Sequence, residues 1–196
     1  MNITDIPKEW RDILADIQQV SPGAIIAGGA LRDLASGHDP KDIDIFVPEA
    51  DLYTVGVPRF VDTSRLEETC LRWRKRRRRL FRMDYLNITH DVGAVMEFVD
   101  WPWALTPRVP LNVIVAKAPY LGTDWLGRFD FTVNQVMFDG NGIYQTTAAQ
   151  RDRAAKVFRY VREGGEEDAA RSWRRAERFK MKYPDWTFIV PGPLAA

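Results

Sequence analysis

The sequence predicts an α+β fold in which a mixed sheet and its helices are followed by a small helical C-terminal module. Helical and strand patterns alternate along the first 147 residues. The last predicted strand pair turns at residues 139–142, where Asp-Gly-Asn-Gly is a strong hairpin signal. From residue 148 onward, apolar residues recur at helical spacing. We therefore expect two units, residues 1–147 and residues 148–196.

Composition and charge are ordinary for a soluble globular protein. Of the 196 residues 45% are hydrophobic, and the formal net charge of +1 indicates no bulk attraction to nucleic acid. The single cysteine, Cys70, excludes an internal disulfide and fits a reducing compartment. The first ten residues lack the apolar segment of a secretory signal, and no apolar run is long enough to span a membrane. We expect a cytoplasmic protein that makes no contact with membranes.

The N-terminal part of the chain predicts four elements in order. Residues 3–18 carry apolar side chains at helical spacing, which is typical of an amphipathic helix. Residues 24–27 predict a short strand, followed by the Gly28-Gly29 turn and a helix that ends at Gly37. Residues 41–47 predict a second strand.

The rest of the chain predicts helices and strands by the same patterns. Alternating or continuous apolar runs bounded by Pro and Gly indicate strands, and apolar residues three or four positions apart indicate helices. The predicted helices are 64–83, 150–165 and 167–183, and the predicted strands are 94–101, 110–118 and 129–138 with its return strand to 145.

Asp42 and Asp44 are the first candidate functional residues. In a strand they point to the same side, whereas Ile43 and Ile45 point to the opposite side, into the core. Two adjacent carboxylates repel each other and resist burial unless a cation neutralises them. Mg²⁺ prefers one or two carboxylates together with water and phosphate oxygens. The pattern therefore indicates a metal site, and the alternative is a solvent-facing pair near a strand end.

The Gly28-Gly29 turn before this strand is a candidate phosphate site. Glycine lets a ligand approach the backbone closely, and N–H groups at the start of a helix bind phosphate. Arg32 lies one helical turn further on, within reach of the same anion. A Gly-Gly pair alone is more often a tight turn, but here it lies within 15 residues of the aspartate strand.

A strongly basic segment follows, with Trp73 and Phe81 interleaved among its cations. Such a segment neutralises phosphates, and its aromatic rings are available for stacking on bases, so it indicates an RNA contact. The alternatives are a solvated helix face or a nuclear localisation signal. The eight cationic residues are Arg72, Arg74, Lys75, Arg76, Arg77, Arg78, Arg79 and Arg82.

Three segments share the order and spacing of a known family's motifs. "GGALRDLASGHDPKDIDIF" is similar to G-G-x-V-R-D…G…P-x-D-I-D, "FDFTVNQVMFDGNGIY" to R-R-D-F-T-I-N-A-L…D…G, and "EDAARSWRRAERF" to E-D-x-x-R…R-A-x-R-F. The chain thus resembles the class II poly(A) polymerases and CCA-adding nucleotidyltransferases, over residues 23–183. The resemblance implies a polymerase-β-like catalytic head (a mixed sheet with flanking helices) over 1–147. It also implies a helical neck over 148–196 that contributes nucleotide-binding residues.

The resemblance also implies roles for the residues of the first motif. Asp42 and Asp44 would hold Mg²⁺ (or Mn²⁺), which activates an RNA 3′-hydroxyl for attack on the α-phosphate of a nucleoside triphosphate. Gly28, Gly29 and Arg32 would position the triphosphate.

The other two motifs imply contacts with the rest of the nucleotide. Asp168 and Arg171 would read the edge of the incoming base, and Arg174 and Arg178 would help to hold the triphosphate. Two further residues, Asp130 and Asn134, match positions near the nucleotide sugar. Phe129 departs from the family pattern, because the family has an arginine there.

A second departure concerns the third carboxylate, which the family places on a later strand. The matching position here is Asn112, a poorer metal ligand that cannot act as a base. Either Asp130 or Glu97 supplies the missing carboxylate, or metal binding is weakened and the protein is a degenerate relative.

The sequence therefore predicts a Mg²⁺-dependent, template-independent enzyme that transfers a nucleoside monophosphate to an RNA 3′ end, in tRNA or another RNA. The resemblance implies a head and short neck without the family's additional helical domains, so the acceptor would be chosen by the basic segment or by a partner protein. Two alternatives stay open. One is nucleotidyl transfer to a protein or small molecule, and the other is an inactive RNA-binding relative.

Overall fold

The computed structural model describes residues 1–53, 61–81, 92–100, 104–105, 108–117, 122–161 and 166–189. For residues 78–81 and 166–171 it describes the backbone only.

The described residues form a mixed seven-stranded sheet, a separate two-stranded sheet and six α-helices. The large sheet has the strand order β3-β4-β5-β2-β1-β6-β7, in which β2 and β5 are parallel and the other neighbours are antiparallel. The helices are α1 (Lys8–Gln18), α2 (Gly29–Ala35), α3 (Ser64–Trp73), α4 (Thr123–Leu126), α5 (Thr147–Ala154) and α6 (Glu166–Lys182). The strands are β1 (Ile25–Ala27), β2 (Ile43–Pro48), β3 (Arg76–Phe81), β4 (Val92–Val99), β5 (Leu111–Ala116), β6 (Val136–Phe138), β7 (Ile143–Gln145), β8 (Val157–Arg159) and β9 (Thr187–Ile189).

One face of the large sheet packs on α1 and α3. Between them lies the main apolar cluster of the protein. The apolar side chains of α1 predicted from the sequence are buried in it, namely Trp10, Ile13, Leu14 and Ile17. From the sheet, alternate residues of β2 such as Ile43 enter the same cluster. Burying apolar area of this extent is the main favourable term in folding.

The other face of the sheet carries a smaller apolar cluster beneath the short helix α4. Phe46 of β2 packs against Trp125 and Phe129 with ring centroids 5.6 and 5.7 Å apart. Side chains alternate along a strand, so Asp44 lies on this same face of β2. Because α4 has only four residues, part of this face is left for the candidate site.

The C-terminal elements form a third cluster around Phe158. Phe131 and Val133, from the segment before β6, pack there together with Ala176 of α6 and with Tyr183, which follows that helix. Phe158 stacks at 4.9 Å on Phe188.

The predictions for the first two strands, for the helix after Gly28-Gly29 and for the hairpin turn are confirmed. The first helix begins at Lys8 rather than at residue 3, and the strand predicted over 129–138 is a strand only over Val136–Phe138. The first strand, its Gly-Gly turn and the following helix appear as β1 and α2, with Gly37 in the left-handed region at φ 72°. β6 and β7 form the predicted hairpin, in which Gly140 has φ 94° and the Asp139 carboxylate accepts from the backbone N–H of Asn141 and Gly142.

The helix predicted over residues 64–83 is wrong in its second half. α3 ends at Trp73, and the basic segment continues as β3, an edge strand paired with β4. Lys and Arg favour helix in isolation, but pairing with a strand distant in sequence overrides that weak preference.

The helix predicted over residues 150–165, and the all-helical character expected after residue 148, are also wrong. α5 ends at Ala154, Lys156 takes a positive φ of 53°, and β8 pairs in parallel with β9. Phe158 of β8 is buried in the third cluster.

Helices that could cross a membrane are absent from the part of the chain that the structure describes.

Candidate functional site

Asp42 and Asp44 lie at the start of β2, on the sheet face that α4 covers incompletely. Both side chains are partly buried, whereas Ile43 and Ile45 are fully buried in the main core as predicted. Burial, together with the negative charge of Asp42, raises the pKa of Asp44 to about 6. The hydrogen bond from Asn112 and the charges of Arg175 and Arg32 act in the opposite direction. A divalent cation bound between Asp42 and Asp44 would offset the repulsion between their two carboxylates.

The candidates for a third carboxylate lie at different distances from these aspartates. Asn112 of β5 is in direct register with Asp44, and its Nδ2 donates to Asp44 Oδ1 at 3.0 Å. Glu97 of β4 is in register with Asn112, one strand further from β2. Asp130 is buried and bound to Ser172 and Arg175. Among the described residues no three acidic, His or Cys side chains gather in a metal-binding group.

The Gly28-Gly29 turn borders the same cleft. Gly28 has φ 83° and its N–H donates to the Val136 carbonyl at 2.9 Å, so this amide is used within the sheet. A Cβ at Gly28 would come within 2.9 Å of the Phe129 ring, so only glycine allows this approach. Gly29, rather than Gly28, lines the cleft.

Arg32 is held rigidly at the base of the cleft. Its Nε and Nη2 donate to Asp33 Oδ1 at 2.8 and 2.5 Å, and its Nη1 donates to Asn134 Oδ1 at 2.6 Å. The guanidinium lies 4.4 Å from the centroid of the Phe179 ring. Arg32 is 4% exposed, so it contributes a fixed charge rather than a mobile arm.

Helix α6 supplies the opposite wall of the cleft. The predicted residues Arg174 and Arg178 line it, together with Arg175. Arg175 donates from Nη1 to Asp130 Oδ2 at 2.6 Å. The side chains of Asp168 and Arg171, predicted to read the base, lie outside the described residues.

Three cations of the cleft were not predicted from the sequence: Arg175, Lys41 and Lys182. A signal for Arg175 was present, because the family string R-A-x-R-F matches this chain literally only when it begins at Arg175. For Lys182, the decisive contacts are with Asp33 Oδ2 and the Asp39 carbonyl, both at 2.6 Å and both distant in sequence.

These residues enclose one cleft of about 720 Å³, large enough for a nucleotide-sized ligand. Six cations and three carboxylates line it, so its charge favours an anion while the carboxylates offer a cation site. The lining residues are Gly29, Arg32, Asp33, Lys41, Asp42, Asp44, Asn112, Phe129, Asn134, Arg174, Arg175, Arg178, Phe179 and Lys182.

The basic segment is less available than its sequence predicts. Arg74 is not available for the predicted RNA contact, because its side chain is completely buried. It donates to Glu9 at 2.7 Å and to the Val109 carbonyl at 2.9 and 2.7 Å. Arg77 is exposed but paired with Glu67 at 2.6 Å.

The remaining six cations of this segment differ in exposure and in how far the structure describes them. Arg72 and Lys75 are exposed, and Arg76 is partly buried. Arg78 and Arg79 are placed on β3 by their backbone alone. Arg82 lies outside the described residues.

The fold is that of the head of the CCA-adding enzymes. A CCA-adding enzyme from Thermotoga maritima complexed with tRNA superposes with a TM-score of 0.60 at 19% identity, over 91% of this chain and 38% of that chain. A Bacillus stearothermophilus CCA-adding enzyme in complex with CTP gives 0.53 at 18% identity, over 96% and 42%. A CCA-adding enzyme with ATP gives 0.58 at 17% identity, over 93% and 40%.

These superpositions, at 17–19% identity, show a shared fold. The chain spans about two fifths of the length of the enzymes it superposes on. No protein-family model and no curated protein matches it in sequence.

Proposed function

We propose that this protein is a nucleotidyltransferase that moves a nucleoside monophosphate from a nucleoside triphosphate to the 3′ end of an RNA. The observation that carries the proposal is the cleft itself. It brings the Asp42 and Asp44 carboxylates together with Gly29 and the arginines of α6 in a space of nucleotide size. The solved structures of the same fold include complexes with tRNA, CTP and ATP.

The charges of the cleft match the parts of a nucleoside triphosphate. Arg174, Arg175 and Arg178 lie on one helix and offer charge-assisted hydrogen bonds to phosphate oxygens. Arg32 adds a buried positive charge whose position is fixed by Asp33. These cations stabilise the negative charge that develops on the pyrophosphate leaving group.

The two strand aspartates fit a divalent cation. The two aspartates lie on the same face of β2, and burial together with the charge of Asp42 raises the pKa of Asp44, so a bound cation would stabilise both carboxylates in their ionised form. Mg²⁺ or Mn²⁺ bound there would supply charge neutralisation at the α-phosphate and a lowered pKa for the attacking hydroxyl. The role of Asp42 and Asp44 is to bind that ion beside the triphosphate.

Asn134 lines the cleft and would contact the sugar of a bound nucleotide, whereas Asp130 is not among the residues that line the cleft. Asn134 is 1% exposed, and its Nδ2 has no hydrogen-bond partner among the described residues. Asp130 Oδ1 is likewise buried without a partner there. The unpaired Nδ2 donor of Asn134 is matched by a sugar hydroxyl group, which can accept its hydrogen bond. We expect ribonucleotides to be preferred over deoxyribonucleotides.

The basic segment at the edge of the large sheet supports the proposal that the acceptor is RNA. Arg72 and Lys75 are exposed, and the backbone of β3 continues with four consecutive arginines, residues 76–79. Phosphate contacts of this kind weaken steeply with salt.

The test is incorporation of each labelled ribonucleotide into tRNA and into a generic RNA, with Mg²⁺ and with a chelator. We expect metal-dependent labelling of RNA, with little incorporation of the matching deoxyribonucleotide. Labelled protein or a labelled small product, without labelled RNA, would show that the acceptor is a protein or a small molecule and not RNA. Salt-sensitive RNA binding without any transfer would contradict the proposal and indicate an inactive RNA-binding relative.

A further inference from the structure

Three consecutive strands place Asp44, Asn112 and Glu97 in one cross-strand row. Asp44 pairs with Asn112 between β2 and β5, and Asn112 pairs with Glu97 between β5 and β4. Residues directly opposite each other on paired strands share a face of the sheet. The row therefore begins at the cleft and runs away from it across the sheet.

Glu97 is two strands away from Asp44. Neighbouring strands lie about 4.8 Å apart, so the two backbones are separated by roughly 10 Å. Asp44, by contrast, has Asn112 immediately beside it, and Asn112 lines the cleft whereas Glu97 does not. The position best placed to act on Asp44 is thus occupied by an amide.

The hydrogen bond fixes which way this amide faces. An ionised carboxylate only accepts hydrogen bonds, so Asn112 must present its NH₂ group to Asp44 Oδ1. The bond joins Asn112 Nδ2 to Asp44 Oδ1 at 3.0 Å, and the other carboxylate oxygen, Oδ2, takes no part in it. The amide adds no negative charge to the pair Asp42 and Asp44.

We propose that Asn112 is a positioning residue that holds Asp44 by its hydrogen bond, so that Asp42 and Asp44 bind one divalent cation without a third carboxylate. This inference rests on the proposed function, because it assigns the metal site of that reaction. It differs from a centre with three carboxylates in its charge, −2 instead of −3, and in the role given to β5.

The experiment measures binding of Mn²⁺ alone to the full chain, by electron paramagnetic resonance of the free ion. The proteins are wild type, Asn112→Asp and Asn112→Leu. We expect one Mn²⁺ in the wild type. Asn112→Asp adds a charged oxygen ligand and should bind Mn²⁺ about tenfold more tightly. Asn112→Leu loses the positioning bond and should bind it about ten- to a hundredfold more weakly.

The opposite signs of the two Asn112 variants separate positioning from a merely structural role, which would weaken binding in both. Circular dichroism and urea unfolding establish that each variant is folded, and Asn112→Leu keeps the test open if Asn112→Asp does not fold. Wild-type affinity in both variants would overturn the inference. Absence of Mn²⁺ binding in the wild type would overturn the metal site and the inference together. Normal Mn²⁺ behaviour without nucleotide transfer would overturn only the proposed function.

Discussion

At the scale of single residues, charged side chains of similar sequence context have very different surroundings. Arg74 and Arg77 belong to the same basic segment, yet Arg74 is completely buried and Arg77 is exposed on an edge strand. The sequence shows that both carry charge. It does not show that Glu9 and the Val109 carbonyl, 65 and 35 positions away, enclose one of them. Burial decides which of these arginines is available to a ligand.

This difference predicts unequal costs of substitution. Arg74→Met should lower the free energy of unfolding by about 3 kcal/mol, because it breaks a buried ion pair and leaves the Val109 carbonyl without its donors. Arg77→Met is the matched control and should cost less than about 1 kcal/mol, since its pair with Glu67 is exposed. Urea unfolding of both variants checks this, and equal costs would show that Arg74 is not a structural residue.

At the scale of elements, patterns confined to one segment predicted structure well. The stripe of α1, the β1–Gly-Gly–α2 unit and the β6–β7 hairpin depend on residues close together in sequence, and all three are confirmed. β3 and β8 were missed because each is stabilised by a distant partner, β4 in one case and β9 in the other. Local preference is weaker than such pairing.

Helix α6 shows how much of the site was predictable at this scale. The resemblance singled out Arg174 and Arg178, and both line the cleft. Arg175 was missed although the family string R-A-x-R-F begins there, and its ion pair with Asp130, 45 positions earlier, has no signal in the local pattern.

The same geometry predicts a contrast between two cations of α6. Arg178→Ala should raise the KM for the nucleoside triphosphate about tenfold or more, because a charge-assisted hydrogen bond is worth about 1.5–3 kcal/mol. Lys180→Ala, two residues further on, removes an exposed charge paired with Glu177 outside the cleft, and should leave KM within about twofold. Steady-state kinetics with unchanged helical content checks this. Equal effects would mean that charge in general, and not the cleft wall, sets affinity.

At the scale of the whole molecule, the cleft exists because the N-terminal and C-terminal elements are joined at Asp33. Its carboxylate accepts from Arg32, its neighbour on α2, and from Lys182 and Tyr183 at the end of α6 and just after it. Asp33 is 3% exposed, so these bonds are shielded from solvent. The motifs that resemble the nucleotidyltransferases indicated what the two halves contain. The network that holds them together involves residues 150 positions apart and could not be predicted from local patterns.

The most direct measurement of the central claim compares two RNA acceptors that differ only at the 3′ end, one with a 3′-hydroxyl and one with a 3′-deoxy terminus. Each is incubated with labelled ribonucleoside triphosphates and Mg²⁺, using the wild type and the Asp42→Asn/Asp44→Asn double variant. We expect only the wild type to extend the RNA, and only from the 3′-hydroxyl. Extension by the double variant, or labelling of the 3′-deoxy acceptor, would contradict it.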